Sequence, residues 1–205
     1  MGKKINPFIF RVNINRNWNS FWYTKKNNYS NYLIEDINIR KYLDKFFKNI
    51  PSGKIIIFKN LNFIFINIYL KKISFNRYTL KNLKKNLLIF TNKKIFLKFK
   101  NILKPNLDVK LIFFHIKKKI ESNSPFKGVL RNIINEAFKS KCFGLKISIQ
   151  GRINGNILTR KQVFCYGKLP LQRFCSNIKY HSGAAKTSYG VIGVKIWIYL
   201  GDYVY

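Results

Sequence analysis

The sequence predicts an α+β fold arranged as two domains in tandem. Two observations carry this. Segments with apolar residues at helical spacing interleave with short Ile- and Phe-rich or strictly alternating segments along the 205 residues. A Lys104-Pro105 step then interrupts the series near mid-chain. The order before it is α-β-β-α-β, and a second set of two helices and several strands follows.

Residues 1–22 read as a basic, aromatic arm. A helix is expected near Asn31–Lys48, with Leu33, Ile37 and the stretch Leu43 to Phe47 as its apolar side, ended by Pro51-Ser52-Gly53. Lys54–Lys59 and Asn62–Leu70 read as strands. Tyr78–Leu88 reads as a helix with Leu80, Leu83 and Leu87 inward and Lys81, Lys84 and Lys85 outward; Lys94–Asn101 is a further strand. These elements fill residues 23–103. In residues 104–205, Pro105-Asn106-Leu107-Asp108 opens a helix running to about Ile120. Ser124 and Pro125 have the residue types of an N-cap and a first helical position. Behind them Phe126, Val129, Leu130, Ile133, Ile134, Ala137 and Phe138 make one apolar stripe. Gly144 ends that segment. Leu145, Ile147 and Ile149 alternate with Lys146, Ser148 and Gln150, as in a half-buried strand. Ile157–Tyr166 and Phe174–Tyr180 are further strand candidates, and Ile192, Val194, Ile196, Ile198 and Leu200 share one face of a last strand.

Forty Lys and Arg stand against seven Asp and Glu, a net charge of +33. Such an excess repels itself in a compact state, and a polyanion resolves it. RNA is the first candidate, because phosphate contacts release condensed counterions; an anionic membrane surface is the second. A hydrophobic share of 47% with 17% aromatics excludes a disordered basic tail. No apolar run reaches the roughly 18 residues of a membrane span, and Met1-Gly2-Lys3-Lys4-Ile5-Asn6-Pro7 reads as carrying no signal or transit segment. Cys142, Cys165 and Cys175 lack CxxC spacing, and only His115 and His181 accompany them, so no zinc site and no cofactor are expected. They read as reduced, mostly buried thiols. The acids are scattered, with no P-loop and no nucleophile elbow, so no enzymatic activity is expected. The heavy use of Lys, Asn, Ile, Phe and Tyr points to an AT-biased genome, that of a reduced organelle.

Three blocks near the C-terminus carry a resemblance. They are Gly151-Arg152-Ile153-Asn154-Gly155, Gly167-Lys168-Leu169-Pro170-Leu171 and Thr187-Ser188-Tyr189-Gly190-Val191-Ile192-Gly193-Val194-Lys195-Ile196-Trp197-Ile198. Their order, gap-free between Gly144 and Asp202, resembles the family of small-subunit ribosomal protein three. The arm Gly2-Lys3-Lys4-Ile5-Asn6-Pro7…Arg11…Trp18-Asn19-Ser20-Phe21-Trp22 is similar to that family's N-terminus. The resemblance implies a type II KH-like domain over residues 23–103, followed by a two-layer α/β domain with an antiparallel sheet. It implies a protein that binds small-subunit rRNA in the ribosomal head, contacts neighbouring head proteins and lines the channel through which mRNA enters. With the codon bias, the expected place is an organellar ribosome, of a plastid or apicoplast or else of a mitochondrion. No membrane partner and no homo-oligomer are expected.

Site residues follow from the same resemblance. In the arm, Lys3, Lys4, Arg11 and Arg16 suit phosphates, with Asn6 beside them. Trp18 and Trp22 suit stacking on RNA, the other reading for both being packing on the first domain. Arg152, Arg160 and Lys168 are the rRNA-facing cations of the second domain. A KH domain clamps about four nucleotides over a GXXG loop. Here that loop aligns with Ser74-Phe75-Asn76-Arg77, both glycines are gone, and the segment before it is shortened. A scaffold with a basic turn is expected in place of the specific grip. On the helix after Ser124, Lys127, Arg131, Asn135 and Lys139 stand four apart in one line. The resemblance assigns Lys127, Arg131 and Lys139 to incoming mRNA, with Gly128 replacing one cation of the family pattern. The rival to the ribosomal reading is a free KH-type RNA chaperone or splicing factor, which needs the missing GXXG.

Overall fold

The computed structural model describes residues 4–72, 76–122, 124 and 126–203. A single helical turn, α1 (Pro7–Phe10), comes first. The Asn6 side chain accepts from the Phe8 amide, and Pro7 occupies a first-turn position where it gives up no hydrogen bond. Contacts divide the chain into two units: Trp18–Leu103, and Met1–Asn17 together with Lys104–Tyr205. Residues 1–22 are therefore shared between the units, and the end of that stretch enters a sheet as β1 (Ser20–Phe21).

The unit Trp18–Leu103 continues with α2 (Tyr29–Phe46), β2 (Ser52–Lys59), β3 (Phe63–Leu70), α3 (Arg77–Leu88) and β4 (Lys94–Asn101). Its sheet runs β1-β2-β3-β4, antiparallel between β2 and β3 and parallel at both outer pairings. β2 and β3 carry apolar residues on both faces. Ile55, Ile57, Ile64, Ile66 and Ile68 meet Ile39, Leu43 and Phe47 from the α2 side and Leu83 and Leu87 of α3. Phe58, Phe63 and Phe65 take the other face, together with Ile56.

The expected inner face of α2 needs correction. Leu33 and Ile37 are exposed, while Asp36, Ile39 and Leu43 are buried. Asp36 turns inward because it has partners: its carboxylate accepts from Ser20 Oγ at 2.9 Å and from Arg40 Nε at 3.1 Å. Arg40 also donates to the carbonyls of Asn19 and Ile55, and this fastens the two-residue β1 to the helix and the sheet.

The other unit holds α4 (Val109–Glu121), α5 (Phe126–Lys139), β5 (Gly144–Gly151), β6 (Arg160–Gly167), β7 (Ser176–Thr187) and β8 (Gly190–Asp202). Its sheet, β6-β5-β8-β7, is antiparallel throughout. Ile112, Ile116 and Ile120 of α4 and Leu130, Ile133, Ile134 and Ala137 of α5 cover Leu145, Ile147, Ile149, Val194, Ile196 and Ile198. α4 begins later than expected: Pro105–Leu107 is one 3-10 turn, and Asp108 then caps α4 by accepting from the Lys110 and Leu111 amides. Ser124 Oγ donates to the Lys119 carbonyl at the end of α4; Pro125 lies outside the described residues. β6 starts at Arg160, leaving Ile157 and Leu158 in an exposed loop, and β7 reaches Thr187. Cys142 alone of the thiols is buried; Cys165 and Cys175 are exposed, which corrects the expectation of burial. Among the described residues no helix is long and apolar enough to cross a membrane, and no group of metal-binding side chains is present.

Candidate nucleic-acid interface

The arm does not offer its cations evenly. Lys4 and Asn6 are exposed, and Lys3 lies outside the described residues. Arg11 is fully buried. Its guanidinium donates to the carbonyls of Pro7 (3.1 Å), Leu171 (2.9 Å), Arg173 (2.7 Å) and, more weakly, Pro170 (3.4 Å). The expectation that Arg11 meets phosphate is therefore corrected: the side chain is buried and both terminal nitrogens are committed to backbone oxygens. Arg16 is half-buried, donates to Asn177 Oδ1 at 3.0 Å, and burial lowers its pKa. Phe10 stacks on Phe174 at 4.4 Å, and Asn15 Nδ2 donates to the Phe174 carbonyl. Together these contacts hold residues 7–16 on the segment 170–177.

The two arm tryptophans differ. Trp18 is 57% exposed, with its ring open for stacking. Trp22 is half-buried against Tyr29 and Tyr32, and the ammonium of Lys59 lies 5.8 Å from its ring centre. Of the segment expected to be a degenerate KH loop, Ser74 and Phe75 lie outside the described residues. Asn76 precedes α3, its carbonyl accepting from Thr79 Oγ1 at 2.7 Å, and Asn76 and Arg77 are exposed, as are Lys71 and Lys72.

In the second unit Arg131, Asn135 and Lys139 are exposed along one side of α5, opposite the buried Leu130, Ile133, Ile134 and Ala137. Lys127 sits in the first turn of the same helix. Arg152 is engaged locally. Its Nε donates to the Asn156 carbonyl at 2.9 Å and its Nη1 to the Tyr189 carbonyl at 3.3 Å, bridging two loops. Arg160 and Lys168 are exposed. The glycines flanking Lys168 serve backbone geometry. Gly167 has φ +67°, and Gly144, its strand partner, faces the Lys168 carbonyl so closely that a Cβ would lie 1.9 Å from the oxygen.

Sequence reasoning singled out no residue of the open sheet face, yet the signal is present in β4. Lys94, Phe96, Lys98 and Lys100 alternate there with Ile95, Leu97 and Phe99. Lys94, Phe96 and Lys98 are exposed, whereas Ile95 is buried. Little negative charge opposes these cations. Ion pairs among the described residues include Arg40–Asp36, Lys59–Glu35, Lys117–Glu121 and Arg173–Asp202.

The family model for the C-terminal domain of ribosomal protein S3 matches residues 116–198, from within α4 into β8. The chain is also similar over its length to small ribosomal subunit protein uS3 of three bacteria. It is 34% identical to that of Pelagibacter ubique over 206 residues, covering 98% of this chain and 91% of the relative. For Dictyoglomus turgidum the identity is 35%, with 98% and 84% covered. For Nitrosomonas eutropha it is 34%, with 98% and 96% covered. The chain belongs to the uS3 family. Because these matches span 98% of the chain, they take in Trp18–Leu103 as well as the segment the domain model matches.

Proposed function

We propose that this uS3 protein is a structural, non-catalytic constituent of the small ribosomal subunit. It binds small-subunit rRNA in the head mainly by neutralising phosphates. The observation that carries this is the distribution of charge on a uS3 scaffold. Forty cations face seven acids, and both folded units present exposed Lys and Arg. Lys4, Arg160 and Lys168 suit rRNA phosphates. Arg16 and Arg152 have local partners and reach RNA only with the donors those contacts leave. Trp18 supplies a stacking surface. The domain reading is a degenerate KH-like domain followed by the C-terminal α/β domain, with the uS3 head neighbours as protein partners. The codon bias supports a plastid or apicoplast ribosome, with a mitochondrion as the other organelle. Sedimentation tests the core of this reading: tagged protein from its native compartment co-sediments with small subunits at low salt, and recovery only in low-mass fractions overturns it.

The line on α5 faces incoming mRNA in this reading. Fixed cations there hold the phosphates of parted strands while translocation supplies the work. Replacing Lys127 and Arg131 by Ala slows translation of a message with a stable hairpin and leaves a linear message nearly unchanged. Equal rates on the hairpin for variant and parent would reduce α5 to a solvated surface.

A further inference from the structure

α5 ends beside the edge strand β6, and the contact between them is aromatic. Phe138, in the last turn of α5, meets Tyr166 near the end of β6, with ring centres 6.5 Å apart and planes at 74°. Tyr166 pairs across the sheet with Leu145, which is buried under the helices, so Tyr166 stands on the helix side of β6. Neither ring sinks into the core: Phe138 is 39% and Tyr166 43% exposed. An edge-to-face pair covers only one of its four ring faces and leaves the others free to stack.

The backbone holds both rings in place. Lys141 takes the left-handed conformation, φ +65°, and its amide donates to the Phe138 carbonyl at 2.9 Å. The Cys142 amide donates to the Ala137 carbonyl at 3.2 Å, which closes the last turn of α5. The Lys168 amide donates to the Phe143 carbonyl at 3.2 Å and ties the end of β6 to the residue before β5.

Charge and size select the occupant. Lys139 and Lys141 follow Phe138, Lys168 follows Tyr166, and all three are exposed. β6 contains no acid. The single acid of α5, Glu136, is two residues from Phe138 and so about 200° round the helix from it. Arg131 lies seven residues before Phe138, close to two turns, hence on the same side of α5 and about 10 Å along it. Two rings are too small for the core of a protein interface, which takes about 800 Å² from each partner. They match one nucleobase, and every base has a face that stacks on an aromatic ring.

We propose that Phe138 and Tyr166 stack one unpaired base of the incoming mRNA, while Lys139, Lys141 and Lys168 hold the phosphates flanking it. A base so held cannot re-pair with the strand from which it was parted, so the rings add to what the cations of α5 do. The proposal rests on the reading of α5 as the mRNA-facing helix.

The test uses ribosomes containing the full-length protein, halted on an unstructured message that carries one 4-thiouridine moved stepwise through the segment about to enter. Near-ultraviolet light should join the thiouracil to Phe138 or Tyr166 from one message position. Phe138→Leu with Tyr166→Leu keeps an apolar surface without a ring face. In particles shown to contain the chain, this variant should cut the adduct by about fivefold or more, as loss of a base–aromatic stack does. It should also slow translation of a hairpin message, which loss of a photoreactive partner alone would not do. Phe138→Tyr with Tyr166→Phe preserves both rings and should keep both readouts. A Leu variant that translates the hairpin at the parent rate, or a thiouracil that never reacts with the two rings, overturns the proposal. A benzophenone side chain in place of Asn135 tests the underlying reading separately. An adduct of that group with the message, without one at the rings, sinks the stacking platform alone; no adduct from either place sinks the mRNA-facing reading of α5 as well.

Discussion

Arg11 commits both terminal nitrogens of its guanidinium to backbone carbonyls inside the second unit, while its buried Nε has no partner. Arg11→Met should leave the oxygens of Leu171 and Arg173 without a donor. Each buried polar group so orphaned costs about 1–3 kcal/mol. Arg11→Lys should recover only part of the loss, because an ammonium lacks the planar fork; chemical denaturation of the three proteins checks both. This residue shows where sequence reading stops. Residue type alone cannot tell a phosphate-binding Arg from a carbonyl-binding one, and here the deciding partner, Arg173, is 162 residues away. Lys59 is a second buried cation, with its ammonium 3.0 Å from Glu35 and from the Tyr32 carbonyl. Lys59→Met alone strands the Glu35 carboxylate and should destabilise by about 3–5 kcal/mol, whereas Lys59→Met with Glu35→Leu should come close to the parent. Burial lowers the Lys59 pKa, and Glu35 offsets part of that. The unfolded chain therefore holds this proton more tightly, and the charge burdens the fold at neutral pH. As pH rises through the lowered value towards 10.5, the burden is relieved and this group's contribution to stability increases. Denaturation midpoints across that alkaline window should lose this rising component in the double variant.

At the scale of elements, α5 contains a correctable weakness. Gly128 sits in its third position, and a Cβ there would meet nothing within 4 Å. Gly128→Ala should therefore stabilise the protein by roughly 0.5–1 kcal/mol, read from the denaturation midpoint. Gly144→Ala should act the other way by about 1–3 kcal/mol or more, since the Lys168 carbonyl occupies the required space. The segments that were legible are those where one period dominates. The apolar stripe of α5 and the alternation in β5 each name their buried face without help. α2 was misread because two of its apolar residues, Leu33 and Ile37, point outward, while an acid with buried partners points in. In β2 and β3 apolar residues fill both faces, so alternation gave no direction. The pairing of the strands puts Ile55, Ile57, Ile64, Ile66 and Ile68 inside and leaves Ile56 with the phenylalanines outside. β1 is too short for any pattern and exists because Arg40 and the edge of β2 hold it.

For the molecule as a whole, charge should govern affinity. The free protein should bind unrelated RNAs with little preference. Its log affinity should fall steeply with log salt, by about 0.7–0.9 per phosphate neutralised. A flat salt dependence in a filter-binding titration would contradict phosphate neutralisation as the main source of affinity. The division of the chain has a separate consequence, for how the protein is made. Residues 7–16 leave the translating ribosome long before residues 170–177, against which they pack, have been synthesised. At 5–20 residues per second the interval is on the order of ten to thirty seconds. During that time Trp18–Leu103 can close on itself, with all its sheet pairings internal. Until residues 170–177 are made, residues 7–16 lack the partners that bury Phe10 and Arg11. The docking of residues 7–16 therefore waits for partners made long after them, and a nascent chain halted before Pro170 should remain cleavable by protease near Arg11 and become resistant only on release.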